Sequence, residues 1–228
     1  MQAAIFDLFG TLVPNLEPDR YRDFAHRLAH QLGAPAEPFR AAWAHFFRQR
    51  MDGTIRDGDE QFIPILEHIG APVRRELLPG ATRIRREFMR AALTPKSDAL
   101  ECLDALRSAG MRLAMASDCS TETPVLLKAS LLGPYFPICA ASALLGVRKP
   151  DLLMYEHVLN ALGVAARDCV YIGDGNSEEL IGAKRLGMTT IWVDNGAEQY
   201  WLERFSSECD ERVTALREIP GIVSALRK

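Results

Sequence analysis

Three short apolar runs in this chain each end on an abrupt polar switch: Phe6 gives way to Asp7, Ala116 to Ser117-Asp118, and Gly173 to Asp174. Continuous apolar runs of this length read as strands buried on both faces, the pattern of a parallel sheet covered by helices. Parallel strands place their carboxyl ends on one edge, and in open sheets ligands bind outside that edge. Residues more than a hundred positions apart are therefore predicted to share one rim.

From Ser97, a predicted N-cap, helical and strand patterns alternate: helix 98–109, strand 112–116, helix 122–132, strand 137–141, helix 151–162, strand 169–172, helix 177–186 and strand 189–193. Gly110, Gly163 and Gly187 supply the helix stops. A last helix is expected after Pro220-Gly221, whereas residues 194–212 have no clear period. Residues 15–93 have a different texture. Tyr21, Phe24, Leu28 and Leu32 predict a helix over 18–33, and Phe39, Trp43, Phe46 and Phe47 predict one over 38–51. Helical patterns resume through Phe62, Leu66 and Ile69, and again through Leu77, Ile84, Phe88 and Met89. The expected fold class is α/β: a parallel-sheet core from residues 1–14 and 94–228, with a helical insert over 15–93 and a hinge at Thr94-Pro95-Lys96.

With 228 residues, 48% of them hydrophobic, the chain has room for one sizeable core and a smaller insert. A net charge of -3, with 27 Lys and Arg dispersed among 30 acids, offers no basic field for a nucleic acid backbone. No apolar run approaches the ~18 residues of a membrane span. The five cysteines have no metal-ligand spacing, and Cys102, Cys139 and Cys169 fall in apolar segments, as reduced packing thiols do. With a first strand beginning at residue 3, which predicts no leader, this points to a cytoplasmic protein with a small-molecule partner, as a monomer or homodimer.

The predicted rim has a definite chemistry. Asp7, Asp174 and Glu179 would crowd one pocket, and close like charges favour protonation unless a cation sits among them. Lys149, just before Pro150-Asp151, is one candidate cation and Mg²⁺ the other, since magnesium takes oxygen ligands from one or two carboxylates, waters and substrate phosphate. Ser117, Lys149 and the backbone N–H groups after Asp7 and Ser117 can hold a phosphate. The nucleophile would then be Asp7. Each residue alone has an ordinary explanation: Asp7 or Ser117 as a helix cap, Lys149 as a solvated lysine, Asp174 as a turn former. Four such residues at four successive strand ends make those explanations jointly the poorer account.

These residues resemble the haloacid dehalogenase (HAD) superfamily of hydrolases. Asp7-Leu8-Phe9-Gly10-Thr11 resembles its first motif, Ser117 the second, Lys149-Pro150 the third, and Gly173-Asp174 with Glu179-Leu180-Ile181-Gly182-Ala183 the fourth. The resemblance implies a Rossmann-like core with a helical cap inserted after the first motif. It implies Asp7, Ser117 and Lys149 as catalytic residues, with Gly10, Thr11 and Asp118 beside them at the substrate. In the phosphatases of the family, Mg²⁺ would be held by Asp7, the Phe9 carbonyl and Asp174, and Glu179 of the same acidic motif is counted here among the metal-site residues.

Phe9 departs from the phosphatase pattern, which has there a second Asp acting as general acid and base. Its loss forfeits typically ~10²- to 10⁴-fold in rate unless another group serves or the leaving group needs no proton. The first expectation is a Mg²⁺-dependent phosphatase acting on a small anionic substrate, its proton donor dispensable or supplied by His45, Asp52, Asp57 or Asp59. Arg48, Arg50 and Arg56 are candidate anion selectors. The second is a 2-haloacid dehalogenase, a metal-free relative with an aromatic residue at this position; Tyr155, six residues after Lys149, also fits it, but Asp174 replaces its serine. A third is a protein that binds metal or phosphometabolite without turnover. The phosphonate hydrolases need a cap lysine, and residues 15–95 contain none.

Overall fold

The computed structural model describes residues 1–198 and 204–227. Among them, six strands form one parallel sheet: β1 (Ala3–Phe6), β2 (Arg112–Ser117), β3 (Cys139–Ala141), β4 (Cys169–Gly173), β5 (Thr189–Val193) and β6 (Glu211–Val213). Their order is β3-β2-β1-β4-β5-β6, the doubly wound arrangement whose direction of winding reverses at the first strand. Register puts Phe6 between Met115 and Ile172, so Asp7 emerges at the reversal point with Ser117 and Asp174 on the strands to either side.

The chain between β1 and β2 is helical: α1 (Pro18–Leu32), α2 (Ala36–His45), α3 (Phe47–Met51), α4 (Ile63–His68) and α5 (Leu78–Ala92), then α6 (Ala99–Ser108). Pro18 opens α1 at its first turn, where a missing N–H costs nothing, and Gly33 closes it. The first five helices bury an apolar cluster of their own, including Phe24, Leu28, Phe39, Trp43, Phe62 and Ile65. Its aromatic rings stack, Phe24 on Phe88 at 4.1 Å and Trp43 on Phe39 and Phe62 at 6.1 and 5.9 Å.

Beyond β2 run α7 (Thr123–Lys128), α8 (Ser142–Leu145), α9 (Leu152–Leu162), α10 (Glu179–Arg185) and α11 (Ile219–Leu226). Strand side chains alternate between two layers. Phe6, Met115, Ile172 and Ile191 pack with α6 and α11, while Ile5, Ala114, Ala116 and Tyr171 pack with α9 and α10. The sheet is thus covered on both faces, as its apolar runs require.

Several boundaries differ from the sequence expectation. The helix expected over 38–51 is two helices, because Phe46 leaves helical geometry (φ −84°, ψ 11°). That bend turns Arg50 back over Trp43. The helix expected over 122–132 ends at Lys128, a 3₁₀ turn at Gly133–Tyr135 following. Asp98, not Ser97, occupies the N-cap of α6. In the unreadable segment 194–212 the sheet gains its sixth strand, β6, an edge strand with only Val213 buried, too short to carry a period. Residues 199–203 of that segment lie outside the described residues.

Candidate active site

Asp7 and Lys149 are the pair around which the rim is built. Lys149 Nζ donates to Asp7 Oδ1 at 2.6 Å and also to Glu179 Oε2. Both residues are almost fully buried, Asp7 at 4% exposure and Lys149 at 3%. Burial opposes the ammonium charge, but Asp7 and Glu179 outweigh it and hold the Lys149 pKa well above its ordinary value. A permanently charged lysine is therefore sunk between two carboxylates.

Glu179 occupies the first turn of α10 with no exposed surface. Its carboxylate accepts from Tyr171 Oη at 2.9 Å and from the Gly175 N–H at 3.1 Å, besides Lys149. Tyr155 Oη donates to the Glu179 carbonyl at 2.9 Å, a helix-bracing contact in the interior. Oxygens of Asp7, Asp174 and Glu179 lie within 4.8 Å of one another, and Glu179 is at the same time a direct partner of Lys149. This geometry makes it the anchor of Lys149.

Asp174 follows β4 and is 1% exposed. Asn176 donates to it twice, from its backbone N–H at 3.0 Å and from Nδ2 at 2.8 Å. Burial, and then the neighbouring Asp7 charge, push the Asp174 carboxyl up to about 6, with the Asn176 hydrogen bonds pulling the other way. Because Nδ2 must face the carboxylate, the Asn176 amide oxygen is fixed away from it. That oxygen is buried with no hydrogen-bond partner among the described residues. Three buried acids share one ammonium, so Glu179 and Asp174 are pushed towards their protonated forms unless a cation joins them, and an orphaned acceptor sits next to them. An all-oxygen set of this kind fits a hard divalent cation.

The remaining expected residues separate into two groups. Ser117, at the end of β2, lines a cavity of about 610 Å³ together with Asp7, Phe9, Asp118, Lys149 and Asp174. Asp118 lines the cavity and also braces it: its carboxylate accepts from the Lys149 N–H (3.0 Å), Arg148 Nε (3.2 Å) and Ser177 Oγ (3.1 Å). Three loops are tied together there. Thr11 is not among the residues that line the cavity; it is fully buried and its Oγ1 has no partner among the described residues. Gly10 serves by close approach. Its φ is +80°, and a Cβ there would lie 2.2 Å from Asp174 Oδ2.

Gly10→Ala is accordingly expected to destabilise the protein by at least ~1–2 kcal/mol through left-handed backbone strain and to displace the Asp174 carboxylate. Thermal unfolding reads the first effect and activity the second; an unchanged melting temperature with full activity would contradict this packing.

The loop carrying Gly10 is clamped from outside. Its carbonyl accepts from Lys96 Nζ at 2.7 Å and Asn195 Nδ2 at 2.8 Å, and Lys96 also donates to Asn195 Oδ1 at 2.6 Å. Sequence reasoning missed Asn195, which lies in the aperiodic segment, and did not single out Asn176 within the polar loop 173–179. Neither side chain has a signature of its own; each matters through one tertiary partner.

The helical bundle roofs the cavity and is fastened to the core at Asp57. Its carboxylate accepts from the Glu122 N–H at 2.6 Å and pairs with Arg85, which also reaches Glu122 at 3.1 Å. Asp57 is thus consumed by this fastening. Asp59 accepts from Thr82 Oγ1 at 2.6 Å, Asp52 accepts from the Thr54 N–H at 2.9 Å, and His45 stacks on His68 at 5.0 Å on the bundle exterior. None of the four lines the cavity, so the expectation that one of them replaces the missing general acid is not met. Of the three candidate arginines, Arg48 and Arg56 are exposed and only Arg50 faces the cavity.

Comparison with known proteins agrees with this fold. The family model of haloacid dehalogenase-like hydrolases matches residues 1–187. A phosphoserine phosphatase of Thermus thermophilus is 32% identical over 184 residues, 78% of this chain and 66% of that protein. An (S)-2-haloacid dehalogenase 4A of Burkholderia cepacia is 27% identical over 201 residues, 85% of this chain and 83% of the relative. The solved 2-haloacid dehalogenase of Pseudomonas syringae superposes with a TM-score of 0.74 over 99% of both chains at 20% identity, which speaks to the fold alone. Phosphatases and dehalogenases stand on either side of this sequence. With the family model spanning residues 1–187, the chain belongs to the haloacid dehalogenase-like hydrolases.

Proposed function

We propose that this hydrolase is a Mg²⁺-dependent phosphatase that works through an aspartyl-phosphate at Asp7. The observation that carries this reading is the second buried carboxylate, Asp174, sharing the rim with Asp7 beside the orphaned Asn176 oxygen. A 2-haloacid brings a carboxylate of its own, and an extra uncompensated acid would repel it. Asp7, the Phe9 carbonyl and Asp174 would hold the ion, with Asn176 Oδ1 alongside. When bound, Mg²⁺ neutralises the crowded carboxylates and lets an anionic phosphate approach them.

The chain's own groups supply the rest. One carboxylate oxygen of Asp7 attacks phosphorus, forming a P–O bond as the bond to the leaving oxygen breaks. Lys149 holds the Asp7 carboxylate in place through Oδ1 and is itself held by Glu179; Ser117 offers its hydroxyl to a phosphate oxygen. Water then attacks the acyl phosphate at phosphorus, releasing phosphate and restoring Asp7. Phe9 has no proton to give, so the favoured substrate is one whose leaving oxygen departs as a stabilised anion, such as an acyl or aryl phosphate.

Phosphate release from an aryl phosphate should require Mg²⁺ and stop with EDTA, and halide should not be released from a 2-haloacid under either condition. Halide release that ignores EDTA would instead establish the dehalogenase reading, which Phe9 favours because a halide needs no proton. The pH dependence carries a sign. The Asp174 carboxyl titrates near 6 in the fold against 3.8 unfolded, so between those values the native state binds the extra proton. Without metal, stability should therefore fall as pH rises from ~4 to ~6, by up to ~3 kcal/mol, and then level off. Mg²⁺ should reverse the loss above pH 6 and bind weakly below it. Unfolding curves at pH 5 and 8 with and without Mg²⁺ check this.

A further inference from the structure

Arg50 lies in the cavity wall with 3% exposure, yet among the described residues none of its hydrogen-bond partners is a carboxylate. Its Nη1 donates to the Trp43 carbonyl at 2.6 Å and its Nη2 to Tyr21 Oη at 3.3 Å. The guanidinium carbon sits 3.6 Å from the Trp43 ring centroid and 6.0 Å from that of Phe47. A guanidinium carries five N–H donors, so more than half of them lack a partner among the described residues. The other arginines of the wall differ: Arg85 is paired with Asp57 and Glu122, and Arg148 with Asp118. The acid nearest in effect, Asp57, is paired with Arg85, and a buried cation whose counter-charge is already committed is unfavourable unless something else supplies one.

The surroundings narrow what that something is. Tyr21, Phe24, Trp43, Phe47 and Met89, all from the bundle, face the same cavity. Its volume of about 610 Å³ is far more than a phosphate group fills, and lies in the range of sites for whole organic ligands. A planar guanidinium stacked on an aromatic ring presents its fork to a carboxylate edge-on.

We infer that the substrate is a phosphate ester whose leaving group is a flat apolar body bearing a carboxylate, with the carboxylate seated on Arg50 and the body against Trp43 and Phe47. This rests on the phosphatase reading for the phosphate end, and it agrees with the lack of a proton donor at Phe9, because an aryl oxygen departs more readily than an alkyl one. Arg50 is a specificity-determining residue at the far end from Asp7.

The test compares 4-carboxyphenyl phosphate with its methyl ester, which keeps the ring and removes the charge. The acid should be preferred at least ~10-fold in kcat/KM, the scale of one charge-assisted buried contact. The preference should fall towards unity in Arg50→Gln and lie between in Arg50→Lys. Each ratio is taken within one protein, so partial unfolding of a variant scales both rates and leaves the ratio intact. A second readout needs no turnover: calorimetry should show 4-hydroxybenzoate binding at least ~10-fold tighter than methyl 4-hydroxybenzoate, again lost in Arg50→Gln. Equal kcat/KM and equal affinity for acid and ester would overturn the inference and leave the phosphatase standing. No phosphate release from either ester, with the calorimetric preference intact, would overturn the phosphatase and leave the Arg50 subsite.

Discussion

Lys149→Met is expected to abolish turnover and to cost about 3–5 kcal/mol of stability, the scale for removing one partner of a buried ion pair. The substitution keeps the length of the side chain and removes its charge. Asp7, Asp174 and Glu179 would then be buried together with no ammonium among them. Glu179 retains Tyr171 and the Gly175 N–H, but Asp7 loses its 2.6 Å donor. The penalty has a diagnostic pH dependence. Asp174 and Glu179, whose carboxyls burial already pushes up against the pull of Lys149, escape by protonating when that cation is lost, so their folded pKa values rise further. The variant should therefore recover stability as pH falls from 8 to 5, narrowing its gap to the parent protein. Denaturant unfolding at the two pH values measures this. A loss under 1 kcal/mol that does not change with pH would mean that the three acids do not depend on Lys149.

Asp7→Asn should behave in the opposite way on stability and alike on activity. The amide has no nucleophilic oxygen, and loss of a nucleophile lowers turnover by ~10⁴-fold or more. Yet the same change relieves the repulsion that helps raise Asp174 to about 6. The variant should fold at least as stably as the parent without metal, with the Asp174 titration moved to lower pH. A stable, inactive protein is the signature of a functional acid held at a thermodynamic cost. Phosphate-release assays and thermal unfolding on one preparation decide it. Turnover above background would remove Asp7 from the nucleophile's role.

The two variants probe different parts of what the sequence could convey. The identity of the rim residues was legible because each strand end is marked by an apolar-to-polar switch, and strand direction is a local property repeated along the chain. Asp7, Ser117 and Asp174 could thus be assigned to one edge before any contact was known. Lys149 was found by its motif. Its embedding between Asp7 and Glu179, and with it the part Glu179 plays in anchoring the lysine, was not legible. The candidate acids in the bundle failed for the same reason. Asp57 looks in sequence like any other loop carboxylate, and only the approach of Glu122 and Arg85 shows that it fastens the roof.

Sequence alone determined the class of fold, the strand ends that carry chemistry and the helical character of residues 18–92, since all three depend on short-range periodicity and on where apolar runs stop. Tertiary structure decided which of these residues face a substrate and which hold one another. Glu179 and Asp118 each hold Lys149 and Asn176 holds Asp174, Arg50 lines the cavity, and β6 lies at the end of an aperiodic segment. The reason is that hydrogen-bond partners and burial are set by contacts between distant parts of the chain, such as Lys149 with Asp7 or Asn195 with Gly10, and no local pattern encodes a partner.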